Sequence, residues 1–157
     1  MTKFEELLTQ KQFKFDKNIN FDLIADILNF LEHDSIHSGP WLNQKVLSST
    51  FQIKSIEKYD FINVIYKYLE EKFNKKKLPT NIDLFFSFQS GSRSNLHFDN
   101  YDVRIISLLG RTLYKVENKD YIVSPGDLLY IPKNLRHMAI ALDPRIIISY
   151  GLSSEKY

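Results

Sequence analysis

The chain has 157 residues, of which 43% are hydrophobic and 14% aromatic, with 21 Lys plus Arg against 19 Asp plus Glu (net charge +2) and no cysteine. At this length one core buries roughly 68–70% of the surface the unfolded chain exposes, so no disulfide or structural metal is needed to hold a fold. Without Cys, thiolate nucleophiles, zinc ribbons and iron–sulfur sites are excluded, and any metal must be held by His and carboxylates.

The near-neutral charge argues against a nucleic-acid partner. The N-terminal residues Met1 to Glu6 lack the apolar run of a secretory signal, and no stretch approaches 18 apolar residues. The expectation is a single cytoplasmic domain, monomeric or homodimeric, with no membrane partner.

In chain order, Thr2 and Glu5 have the spacing of a capping box for a short helix over Phe4 to Thr9. Ile24, Ile27, Leu28 and Leu31 recur at three and four, which predicts a helix from Phe21 to Leu31 capped by Asn20. His33, Asp34 and His37 have helical metal-ligand spacing, but the Ser38-Gly39-Pro40 turn that follows reads as a solvated helix end. Ile62, Ile65, Tyr66, Leu69 and Phe73 predict a second helix. It is closed by Lys75, Lys76 and Lys77, whose charge suits a helix C-terminus, with Pro79 beyond. Residues 1–80 are thus expected to be the helical part and 81–157 the β core.

From Ile82 the texture changes to short runs rich in β-branched and aromatic residues. Strands are predicted at Leu84 to Phe88, Val103 to Leu109, Thr112 to Val116, Asp120 to Val123, Asp127 to Ile131, His137 to Ala141 and Arg145 to Tyr150. Gly91, Gly110, Asn118, Pro125-Gly126, Pro132 to Asn134 and Asp143-Pro144 fall between them. Seven or eight close-spaced strands read as a sandwich or barrel. The fold expected is mainly β, with the helices covering one sheet from outside.

His97 and Asp99 stand at i and i+2 in a run read as a strand, so both leave the same face. His137 opens a later strand. Two imidazoles and a carboxylate on one face make the triad that leaves adjacent metal positions open, as in non-haem Fe(II) oxygenases. Around them, Gly91, five residues, His97, one residue, Asp99 and, further on, Gly126, five residues, Pro132 and then His137 resemble the two motifs of the cupin superfamily. Asn134 stands where the second motif usually has Gly; Asn is the non-Gly residue that best tolerates positive φ.

Asn95 to Val103, Leu109-Gly110-Arg111 and Ser124 to Pro132 further resemble the Jumonji C-type cupins, most closely the ribosomal-protein hydroxylases. That resemblance implies a double-stranded β-helix with Fe(II) held by His97, Asp99 and His137. It also implies oxidation of a protein side chain or small molecule by O2, coupled to decarboxylation of 2-oxoglutarate. The family's cation for the far carboxylate of 2-oxoglutarate falls, two residues after Gly110, on Thr112. A neutral hydroxyl makes about half the bond a cation would, so a substitute is expected from Arg104, Arg111 or Arg145. Arg145 opens the last strand, where other 2-oxoglutarate oxygenases carry their anchoring Arg. Strand alternation puts Thr112 and Tyr114 on one face and Arg111 on the other, pointing outward. Ser94 and Ser149 are expected to add hydroxyl contacts.

The resemblance does not extend to the dimerisation and winged-helix regions that follow the barrel in ribosomal-protein hydroxylases, so their protein substrate is not implied. Two other readings stand beside the oxygenase. One is a metal-dependent cupin dioxygenase or isomerase without 2-oxoglutarate, kept open by Thr112. The other is a ligand-binding cupin without turnover, which has no need of three convergent ligands.

Overall fold

The computed structural model describes residues 7–31, 36–37, 49–73 and 78–153. Ten strands occur among these residues: β1 (Leu8–Thr9), β2 (Ile36–His37), β3 (Phe51–Ile53), β4 (Leu78–Ser87), β5 (Asp102–Leu109), β6 (Thr112–Val116), β7 (Lys119–Val123), β8 (Leu128–Ile131), β9 (His137–Ala141) and β10 (Arg145–Ser153). Two helices, α1 (Asp22–Phe30) and α2 (Asp60–Phe73), precede β4, with a 3-10 turn over Ile56–Lys58. The strands form a seven-stranded sheet in the order β1-β8-β5-β10-β4-β3-β2 and a three-stranded sheet in the order β7-β6-β9, paired antiparallel throughout. This is the mainly β, cupin-type architecture expected from the sequence.

Alternation along the central strands builds two cores. From β10, Ile146, Ile148, Tyr150 and Leu152 join Ile82, Leu84 and Phe86 of β4 and Ile106 and Leu108 of β5 on the outer face of the large sheet. There they meet Leu23, Ile24 and Ile27 of α1 and Ile62, Ile65 and Leu69 of α2. The helices therefore cover one sheet, each buried Leu or Ile contributing about 1.5–3 kcal/mol. Facing inward, Val103, Ile105, Tyr114, Val116, Leu129, Ala139 and Ile147 line the space between the sheets. A strand buried on both faces loses its alternation of apolar and polar residues, which is why Ile146-Ile147-Ile148 reads as an unbroken apolar run.

α1 starts at Asp22, one residue later than expected, with Phe21 in the cap position, and Asn20 Oδ1 accepts from Asp22 N–H at 2.9 Å. Several other expectations change. The expected helix at Phe4 to Thr9 begins outside the described residues, and its last two residues are β1, paired with Leu129 and Leu128 of β8. His33 and Asp34 also lie outside the described residues. His37 belongs to β2, opposite Gln52, and is therefore not part of a helix end. Strand structure already appears at Phe51, within the stretch expected to be helical, because β3 extends the large sheet beyond β4. Lys75 to Lys77 also lie outside the described residues. No helix among the described residues is long and apolar enough to cross a membrane.

Candidate active site

His97 and Asp99 were expected on a regular strand. The segment 91–99 instead runs beside β9 as an irregular edge, held by bridges of Arg93 to Ile140 and His97 to His137. The alternation survives: Leu96 and Phe98 are each 58% exposed on the outside, while His97 and Asp99 line the cavity between the sheets. His97 and His137 are a reciprocal backbone pair, with N–H to O distances of 3.0 and 2.8 Å. Their ring centroids consequently lie 4.4 Å apart.

The ligand atoms of His97, Asp99 and His137 all lie within 4.8 Å of one another, and His137 Nε2 is 3.5 Å from Asp99 Oδ2. His97 Nδ1 faces the Asn95 carbonyl at 2.7 Å, and His137 Nδ1 faces the Leu135 carbonyl at 2.9 Å. A carbonyl only accepts, so each Nδ1 carries the proton and each Nε2 keeps its lone pair. Burial pushes the His137 pKa below its usual value, which keeps that imidazole neutral. Two imidazoles, each with its Nδ1 turned to a backbone carbonyl, and one carboxylate fit a divalent transition metal.

Two backbone devices hold the halves of this cluster together. Asn134, at φ +66°, turns the loop before β9 so that its N–H reaches the Asp99 carbonyl at 2.7 Å. The buried Asp102 carboxylate accepts from the Tyr130 hydroxyl at 3.0 Å and from Lys133 N–H at 2.9 Å, pinning the same loop. Gly126, at φ +90°, is needed because a Cβ there would stand 2.5 Å from the Phe13 carbonyl oxygen.

The cavity has a volume of about 680 Å³, within the usual range for small-molecule sites. Besides the triad it is lined by Arg145, Tyr114, Ser94 and Ser149 of the residues expected there. Arg145 is 1% exposed and donates to Thr112 Oγ1 (3.2 Å), Ser87 Oγ (3.3 Å) and Thr50 Oγ1 (3.4 Å). Among the described residues no carboxylate pairs with it. A buried guanidinium compensated only by neutral hydroxyls suits an anion.

Burial raises the Tyr114 pKa to about 12 against an opposing pull from Arg145, so the phenol on that wall is neutral. Arg111 points outward as expected, paired with Asp143 at 2.8 Å. Arg104 does not join the site. It lies on the face of β5 opposite Val103 and Ile105, with its guanidinium over the Tyr130 ring at 5.0 Å.

Sequence reasoning missed the far wall. Gln52 of β3 and Asn81 and Asp83 of β4 line the same cavity, Gln52 and Asn81 donating to Asp83 Oδ2 at 2.8 and 3.0 Å. Tyr101, hydrogen-bonded to Asn81, has its pKa raised first by burial and then by Asp99 and Asp83. The only signal for this wall was the alternation in Phe51-Gln52-Ile53, too short to register as a strand.

The fold and the triad define a cupin-type barrel with a metal-competent centre. A family model described as the JmjC domain matches residues 115–157, in keeping with the resemblance read from the sequence. No curated protein matches the chain in sequence. Among solved structures, YcfD, a ribosomal oxygenase from Escherichia coli in complex with cobalt and succinic acid, superposes with a TM-score of 0.74 at 19% identity, covering 95% of this chain and 48% of that one. YcfD in complex with cobalt and 2-oxoglutarate gives 0.72 at 20% identity over the same shares. A conserved protein of unknown function from Streptococcus pyogenes, SPY1581, gives 0.54 at 11% identity, covering 92% and 94%. The chain spans about half the length of the YcfD structures it matches. Its likeness is thus to the JmjC domain over residues 115–157 and, in fold, to YcfD.

Proposed function

We propose that the chain is an Fe(II)- and 2-oxoglutarate-dependent oxygenase, a hydroxylase of a protein side chain or small molecule, working as one domain. Arg145 carries this reading. The strongest ground for a 2-oxoglutarate-independent cupin was a neutral Thr112, and Arg145 stands hydrogen-bonded to that residue. His97, Asp99 and His137 would hold the iron on one face. Arg145, with Thr112, would take the far carboxylate of 2-oxoglutarate. The cobalt and 2-oxoglutarate found in YcfD support the same pairing of metal and cosubstrate here.

When bound, iron and 2-oxoglutarate supply the oxidising power that puts one oxygen atom of O2 into a substrate C–H bond. The chain's own residues do the rest. Both Nδ1–H groups stay on their carbonyls, which leaves each Nε2 as the ligand atom. Tyr114 stays neutral and adds no charge beside Arg145. Ser149, between Arg145 and the far wall on β10, offers a hydroxyl to the cosubstrate. The remaining volume, bounded by Gln52, Asn81, Asp83 and Tyr101, is where the substrate group would enter.

The test is calorimetric binding of 2-oxoglutarate to Co(II)-loaded protein. Binding that depends on metal and is lost in Arg145→Ala supports the reading. Metal binding without any 2-oxoglutarate binding would replace it with the cosubstrate-independent cupin.

A further inference from the structure

The segment that carries His97 is one residue longer than a regular strand. From the reciprocal pair of His97 and His137, antiparallel alternation would place Asn95 opposite Ala139, with the Asn95 carbonyl accepting the Ala139 N–H. The next bridge along, Arg93 to Ile140, is out of that register by one residue. An extra residue is therefore inserted between Arg93 and His97, which is a β-bulge of the kind that re-aims side chains beside active sites.

The bulge frees the Asn95 carbonyl from the ladder, and that carbonyl is the one that accepts His97 Nδ1–H at 2.7 Å. Releasing it would leave Ala139 N–H without an acceptor inside the sheet, which a buried donor does not tolerate without cost. Ser94 fills the vacancy. Its N–H donates to the Ala139 carbonyl at 2.9 Å, as a ladder residue would, while its side-chain Oγ accepts the Ala139 N–H at 2.9 Å.

We propose that Ser94 is a positioning residue of the metal centre: its hydroxyl takes over the backbone acceptor role of Asn95, so that the Asn95 carbonyl can set the tautomer and orientation of His97. This rests on the metal-site reading above and gives Ser94 a task other than the cosubstrate contact expected from the sequence. A residue without a side-chain acceptor at position 94 returns the Asn95 carbonyl to Ala139 N–H. The bulge then relaxes, and His97 loses the bond that holds its ring. Because Ser94 Oγ is bonded to the Ala139 backbone, its loss acts through the edge that carries His97.

The experiment compares wild type, Ser94→Ala and Ser94→Thr, the last retaining the hydroxyl. Co(II) affinity is measured by titration of the visible absorption, normalised to the folded fraction from circular dichroism. The imidazole nitrogens of His97 are read in the metal-free protein by long-range 1H–15N correlation. Ser94→Ala should weaken Co(II) binding about 10- to 100-fold, the usual effect of losing a ligand-orienting partner. It should also abolish the single Nδ1–H tautomer of His97, with both properties restored in Ser94→Thr. Ser94→Cys, isosteric with a weaker acceptor, gives an intermediate affinity and stands in should the alanine variant fail to fold. Unchanged affinity and tautomer in Ser94→Ala, or in Ser94→Cys where that variant stands in, overturn the proposal while leaving the metal site intact. A wild type that binds no Co(II) overturns the metal site and the proposal with it.

Discussion

Arg145 Nη1 donates to Thr112 Oγ1 at 3.2 Å, so a cation from β10 stands beside the β6 position where the resemblance to JmjC cupins calls for one. The positive charge has moved to another strand while remaining within hydrogen-bond distance of that position. If that charge holds the far carboxylate, Arg145→Ala should weaken 2-oxoglutarate binding about 10- to 100-fold, as expected for loss of a charge-assisted hydrogen bond. Adding Thr112→Lys should recover part of the loss. An unchanged 2-oxoglutarate KM in Arg145→Ala would remove Arg145 from the role.

The same burial makes Arg145 costly when no anion is present. Replacing it by Met, similar in length and uncharged, should raise the Tm of the protein without cosubstrate by about 2–4 °C, corresponding to roughly 1 kcal/mol at this size. Excess 2-oxoglutarate should then raise the Tm of metal-loaded wild type by more than it raises that of Arg145→Met. Thermal melts with and without ligand check both statements.

Tyr114 titrates late because it is buried, at about pH 12 against an ordinary value of 10.0. The folded state therefore keeps a proton that the unfolded state gives up. The associated stability is fully present below pH 10 and is lost as pH rises from 10 to about 12. The difference in phenolate absorbance between wild type and Tyr114→Phe should show a step near pH 12 or at alkaline unfolding, whichever comes first. A step at pH 10 in the folded protein would place the hydroxyl in water.

Asn134 holds φ at +66° while its N–H ties the second motif to Asp99. Asn134→Gly should be near neutral in stability. Asn134→Val, β-branched and strained at positive φ, should cost about 1–2 kcal/mol and weaken metal binding by displacing the Asp99 backbone. Urea unfolding with Co(II) titration separates the two effects; equal stability of the Val and Gly variants would contradict the argument.

The triad was legible because its spacing is local. His97-Phe98-Asp99 and the turn from Pro132 to His137 are each short, and Gly91, Gly126 and Asn134 mark turns that only a few residue types can make. The setting of Arg145 was not. Thr112 was picked out only by its place two residues after Gly110, while Ser87 and Thr50 lie 58 and 95 residues from Arg145 in sequence and carry no pattern that would select them. Strands as short as β1 and β3 cannot display a period, and they exist because β8 and β4 offer them an edge. The bulge at Ser94 is a matter of register, which a single strand's sequence does not record.

Anaerobic titration of metal-free protein with Fe(II) and then 2-oxoglutarate tests whether His97, Asp99 and His137 hold iron next to a 2-oxoglutarate site. His97→Ala serves as the control. A weak visible charge-transfer band should appear only with both components and be absent in the variant. Bound iron without the band, or a band undiminished in His97→Ala, would contradict that assignment.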